Sequence, residues 1–248
     1  MLRAGKIFTV IAFLGLWGFG PQAFAHVRTY VWTTEYNTIP KDQFESETWT
    51  TFKVPSWTRS RENHIEYQEE LEYGITDRWT VSHYERMQTI NQEGPDDATV
   101  YEGFKFETKY RFGEKGKYWV DPLVYLEWAT DFREKDHPNS IEGKIVLSKD
   151  FDKLNVTYNQ IMESELGRNG RTEQNFSVAA NYEIFSDVHV GAEFFGNYWH
   201  PSSHRNELSL GPTLAYQNKY FWLTAGFSFA VNHATDDSQA RVILGIPF

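Results

Sequence analysis

An all-β fold, a twelve-stranded antiparallel up-and-down transmembrane β-barrel, is predicted by three observations. From Asp42 onward, polar and apolar residues alternate, the pattern of strands whose side chains point to opposite faces. The connections between strands alternate in length, short then longer, without changing order, as in a barrel with tight turns at one end and loops at the other. Aromatic residues make up 17% of the 248-residue chain, yet mean hydropathy is −0.57 and 23% of residues are charged. A helical membrane protein needs runs of about 18 or more apolar residues, whereas a barrel needs alternation with aromatics at its two rims.

Taken in order, the strands are expected over 43–54, 60–73, 79–88, 99–112, 119–131, 140–150, 153–164, 172–184, 187–199, 205–217, 219–232 and 238–248. Short turns are expected at 74–77, 113–116, 149–152, 185–187 and 217–219, each marked by Gly, Asp, Asn or Ser. Longer polar loops are expected at 55–59, 89–98, 133–139, 165–171, 201–205 and 234–238. A Greek-key sandwich has no reason to keep that order. The segments are long enough to cross a bilayer, which takes roughly 9–11 residues per tilted strand.

Facing is clearest in the second half. Phe176, Val178, Ala180, Tyr182 and Ile184 share one side of a strand, as do Leu208, Leu210, Pro212, Leu214 and Tyr216 on another. Their alternates are small or polar, such as Ser177, Ala179, Asn181, Ser209, Gly211 and Thr213. In the first half, Glu69 shares a side with Tyr67 and Leu71, and His83 and Glu85 share one with Trp79 and Val81. Because a charge facing mid-bilayer lipid is costly, a bulge or a strand rising above the membrane is expected there.

Two stretches carry resemblances. The last strand places Val242, Leu244, Ile246 and Phe248 on one side and ends the chain on Phe. It resembles the closing strand of bacterial outer-membrane barrels, in which those positions form the insertion signal read by the barrel-insertion machinery. Tyr73-Gly-Ile-Thr-Asp-Arg-Trp-Thr-Val81, with Ile39-Pro-Lys-Asp-Gln-Phe44 before it, resembles a hairpin and first-strand lead-in of the MetA-pathway phenol-degradation type of outer-membrane barrel. The resemblance covers residues 39–81. It implies the fold and an outer-membrane location, with a transport role, and it brings no substrate and no catalytic residue.

Arg3 and Lys6, the apolar run Ile7–Gly20 and the small-x-small triplet Ala23-Phe24-Ala25 form a secretory signal peptide, with cleavage expected after Ala25. The expected organisation is residues 1–25 as leader, 26–40 as an aromatic lead-in and 41–248 as the barrel. The lead-in could be a tail, a clip at the periplasmic end or a plug. Loss of Arg3 and Lys6 takes the net charge from −10 to −12, a poor balance for binding nucleic acid. With no Cys, disulfides, thiol catalysis and thiolate metal sites are excluded.

Function in a barrel is written on its lumen. Inward candidates on the first six strands are large and charged, while those on the last five are mostly small, among them Ala179, Gly191, Gly211, Gly226, Ser228 and Gly245. Near mid-height Glu47, Glu66, Lys105, Glu107, Glu127, Lys144 and Glu193 are expected to line the lumen, with Arg241 on the last strand. An acid excess in such a ring favours cations. Passive passage of a small solute, hydrophilic or aromatic, through a narrow acidic lumen is the expected role. The alternative is a structural or adhesion barrel whose lumen is closed by ion pairs, and a lipid-modifying enzyme is a more distant one. Ser82 and His83 are adjacent and so point to opposite faces, and no nucleophile elbow is present; no catalytic residue and no cofactor is assigned. His200 and His204 are too few ligands for a metal site, although the Asp96-Asp97 and Asp236-Asp237 pairs could bridge divalent cations to lipopolysaccharide. Expected partners are outer-membrane lipids and the insertion machinery.

Overall fold

The computed structural model describes residues 28–59, 63–91, 98–133, 139–168, 170–199, 206–232 and 235–248. The expected leader, the His200–His204 loop and Asp96-Asp97 lie outside these residues.

The strands are β1 (Phe44–Val54), β2 (Asn63–Thr76), β3 (Trp79–Asn91), β4 (Ala98–Arg111), β5 (Asp121–Thr130), β6 (Asn139–Phe151), β7 (Leu154–Leu166), β8 (Thr172–Phe185), β9 (Val188–Trp199), β10 (Leu208–Gln217), β11 (Trp222–Ala230) and β12 (Ser238–Pro247). Each pairs antiparallel with its neighbour in sequence, and β1 also pairs with β12, so the sheet is a closed barrel. The seam runs from Glu45 opposite Pro247 to Val54 opposite Ser238. The terminal residue completes it: Phe248 N–H donates to Phe44 O at 2.9 Å, Phe44 N–H donates back to Phe248 O at 3.1 Å, and the two rings stack at 5.8 Å. Closure leaves no edge strand to satisfy, which a chain crossing hydrocarbon requires.

One end of the barrel carries the short turns, the start of β1 and the end of β12; the other carries the loops. Two expectations are corrected here. Strand β2 continues through Gly74 to Thr76, so the β2–β3 turn is Asp77-Arg78, with a bulge between Gly74 and Thr76. The β4–β5 connection is not a short turn but spans 112–120. Residues 119 and 120, expected to open the strand, belong to the connection, which Asp121 folds back, its carboxylate accepting from Gly116 N at 2.6 Å and Tyr118 N at 3.3 Å.

The outside of the wall is apolar. Val178, Tyr182, Leu210, Leu214, Phe227, Val242 and Ile246 are exposed, while their alternates Ser177, Ala179, Asn181, Ser209, Thr213, Ser228 and Ile243 are buried. Aromatics ring the turn end, where Phe44 packs on Tyr73 with centroids 4.6 Å apart. They recur at the loop end, where Trp57 meets Phe229 edge-on at 6.4 Å and Tyr101 meets Phe132 at 5.8 Å. Two girdles flanking an apolar band are the signature of a barrel in a bilayer.

At the polar residues of the first strands the expected bulge is a third correction. Glu69 sits opposite Glu85 in unbroken register, and both face outward. The β3–β4 irregularity lies between Arg86 and Met87, at Gly103, whose φ of +150° suits glycine. That bulge turns Glu102 inward and Tyr101 outward and leaves the facing of Glu69, His83 and Glu85 unchanged.

Candidate functional site

The lumen is occupied by the chain's own amino-terminal segment. Residues 28–43 rise to an apex at Val31–Thr33 and then descend to the turn end, with Thr29 N–H donating 2.7 Å to Glu35 across the loop. The three positions left open for this lead-in thus resolve to a plug. Tyr30, Val31, Thr33, Tyr36 and Ile39 are all at most 2% exposed.

The apex is held by one carboxylate. Glu193 accepts from Val31 N at 2.7 Å, Trp32 N at 3.0 Å and Thr33 N at 2.7 Å. Three consecutive amides around an anion form a strong, charge-assisted clasp. Arg241 grips the same turn from β12, donating to Val31 O and to Thr51 Oγ1, each at 2.8 Å. Further down, Thr34 exchanges hydrogen bonds with Asn159, and Tyr30 donates to Asn155 Oδ1 at 2.8 Å. At the turn end Tyr36 donates to Gly113 O at 2.7 Å, and Thr38 donates to Asp77 O at 2.7 Å.

The plug fits because one wall recedes. A Cβ at Gly226 would meet Val31 Cγ2 and lie 2.8 Å from Trp32 Cζ3. Trp32 stacks on Phe195 at 4.9 Å. Both buried apolar clusters are joint products of plug and wall: Val31 with Trp49, Trp222 and Ile243, and Tyr36 with Leu123, Tyr125 and Val146.

The opposite wall projects charge. Lys109 Nζ is 2.6 Å from Glu72 and 3.9 Å from Glu107, and the Tyr84 hydroxyl also donates to Glu107. Arg28 on the plug lies 3.4 Å from Glu47 and stacks over Trp49 at 4.5 Å. Higher up, Lys105 pairs with Glu127 at 3.0 Å, Lys53 with Glu66 at 2.6 Å, and Lys144 with Glu142 at 2.8 Å while lying 4.1 Å above the Tyr125 ring. Glu45, Glu47 and Glu72 bring oxygens within 4.8 Å of one another, as do Glu70, Glu72 and Glu107. Lys109 and Arg28 are the cations set among these acids.

The eight lumen candidates therefore divide in two. Glu47, Lys144, Glu193 and Arg241 touch the plug, the lysine through Thr34 Oγ1 at 3.4 Å. Glu66, Lys105, Glu107 and Glu127 are engaged with groups of the wall itself. Trp222, fully buried over Gly245, escaped the sequence reading because it opens β11 just after a turn. Ser82 and His83 do lie on opposite faces: Ser82 donates inward to Glu72 at 3.3 Å, and His83 meets Glu85 outside at 3.0 Å.

Around the plug, space survives as polar cavities. One of about 190 Å³ is lined by Trp32, Gln68, Lys105, Glu142 and Lys144, and one of about 320 Å³ nearer the turn end by Lys115, Asp150, Asn155, Asn181 and His189. Glu35 and Asn37 line both. A third, of about 280 Å³, lies at the loop end beside Glu173, Asn197 and Gln239 and shares Trp32 with the first.

No family model matches the chain, and no curated protein matches it. Among solved structures, the NanC porin aligns with a TM-score of 0.57 at 12% identity, over 82% of this chain and 98% of that one. The KdgM porin, solved in complex with disordered oligogalacturonate, aligns with a TM-score of 0.55 at 9% identity, over 83% and 98%. At such identities the likeness is one of fold: the chain has the architecture of an outer-membrane porin barrel.

Proposed function

We propose that the protein is a passive channel of the bacterial outer membrane, carrying small hydrophilic solutes and favouring cations, with its turn end in the periplasm. The observation that carries this reading is the pair of polar cavities that share Glu35 and Asn37. A structural barrel needs no wet space on both sides of its plug, whereas a channel does. Solute passing between them moves alongside residues 33–37, and the carboxylates around that path set the preference for positive charge. Glu47, Glu66, Lys105, Glu107, Glu127, Lys144, Glu193 and Arg241 are assigned to the lumen lining in this role.

A second reading is favoured by the ion pairs. Lys109–Glu72 and Lys105–Glu127, together with the seated plug, would make a closed structural barrel. Planar-bilayer recording separates the two. A small, cation-selective conductance from the intact chain is expected of the channel; reproducibly silent insertion of folded, heat-modifiable protein would replace it with the closed barrel.

A further inference from the structure

The outer wall is not uniformly apolar. On β2 and β3, and nowhere on the outward faces of β10–β12 among the described residues, acids point into the lipid. Thr48, Glu69 and Glu85 lie side by side in register on three successive strands, and all three are exposed. Ser46 and Thr50 extend the hydroxyl column on β1, and His83 and Tyr101 flank Glu85.

The row is deep in the apolar band. Glu69 is four residues from Tyr73 of the turn-end girdle, which at ~3.3 Å per residue and a tilt near 40° is roughly 10 Å up a band about 25 Å tall. Two carboxylates opposite each other repel, and each is desolvated by lipid. Partners within the wall are few: Thr48 Oγ1 donates to Glu69 at 2.9 Å, while His83 Nε2 at 3.0 Å and Tyr101 OH at 2.5 Å meet Glu85. A carboxylate can accept about four hydrogen bonds, so acceptor capacity remains on both.

We propose that this stripe is the interface between two copies of the chain, packed side by side about a two-fold axis along the membrane normal. The stripe is self-complementary for that operation. Its donors, Ser46 and Thr50, bracket Thr48 on β1, whose own proton already goes to Glu69; its acceptors, Glu69 and Glu85, lie on β2 and β3. A two-fold axis between the columns sets each copy's hydroxyls against the other's carboxylates, as an isologous contact requires. The acids then leave lipid for a protein–protein contact in which interhelical-type polar pairing has its membrane counterpart.

The chain has no Cys, so single-cysteine variants report contact cleanly. Thr48→Cys, beside the axis, is expected to give a disulfide-linked species of twice the chain mass on mild oxidation in membranes. Leu214→Cys, outward at 52% exposure on β10, is the control and is expected to remain monomeric. Glu69→Leu with Glu85→Leu is expected to weaken dimerisation by roughly tenfold or more, read by light scattering in mild detergent, while the heat-modifiable folded band persists. Thr48→Cys cross-linking no more than Leu214→Cys, or adducts of a mass other than two chains, overturns the proposal.

Discussion

The two halves of the barrel wall solve opposite problems. Strands β1–β5 send Glu45, Glu47, Glu70, Glu72, Glu107, Lys109 and Glu127 into the lumen, each at most 7% exposed. Strands β8–β12 present Ala179, Thr213, Ala215, Thr224 and Ser228, also buried, and Gly226 at the plug's apex. Small residues on a lumen wall would leave a pore, but here they make room for residues 28–43. Pairing closes one half and the chain's own amino-terminal segment fills the other. The lesson is that a receding inner wall, read alone, does not distinguish an opening from a socket.

The largest effect on that contrast comes from removing the segment. A chain lacking residues 28–40 is expected to insert and fold, because the ladder from Phe44 to Phe248 is intact without it, and to conduct severalfold more than the whole chain in planar bilayers. Unchanged conductance would mean the receding wall is not the route.

The projecting wall is tested by Lys109→Met. Glu72 and Glu107 would keep their burial and lose their cation, and breaking a buried pair from one side costs about 3–5 kcal/mol. The heat-modifiability transition should fall accordingly; a variant as stable as the parent would show that the acids there are not held by charge pairing.

A subtler change loosens the socket without emptying it. Glu193→Ala removes the acceptor of three amides, and hydrogen bonds to charged groups contribute roughly 1.5–3 kcal/mol each. Rapid opening events in single-channel records are expected, with the barrel's thermal stability nearly unchanged. A parallel fall in thermal stability would assign the clasp to the wall rather than to the plug.

The smallest effect lies at the loop end. Partial burial pushes the Asp131 carboxyl up, but hydrogen bonds from Arg133, at 2.8 Å from N and 3.0 Å from Nη2, outweigh it and hold the group below the usual carboxylate range. A depressed carboxyl stabilises the fold above its unfolded value and loses that contribution as pH falls through its folded one. Being partly exposed, the pair is worth at most about 1 kcal/mol. Asp131→Asn should flatten the acid limb of the stability profile slightly, measured by thermal melts across pH.

The barrel itself was legible because alternation is local: each strand of the second half declares its own faces, and Phe248 marks the seam. What failed was whatever depends on a partner far away in sequence. Residues 28–43 alternate with nothing and form no strand, so their place depends on Glu193 and Arg241, which no local pattern links to them. A signal existed in the match between an aromatic-rich lead-in and a run of Gly, Ala and Ser inner positions, a volume argument rather than a periodic one. The lumen charges were nameable singly, but Lys53–Glu66 and Lys105–Glu127 emerge from strand register. For Glu69 and Glu85 the premise that lipid excludes acids predicts a bulge or a strand above the membrane, and the register there carries no bulge.

The re-entrant path of residues 28–43 has a mechanical corollary. The limb after the apex descends to the turn-end mouth, tied there by Tyr36 to Gly113 and by Thr38 to Asp77. A cork with its string on one side can be drawn without being threaded through the bottle. Withdrawal toward the turn end breaks side-chain tethers while the interstrand ladder stays whole, so a pull applied from that compartment would empty the barrel at a force set by Glu193 and Arg241, independently of what keeps its staves together.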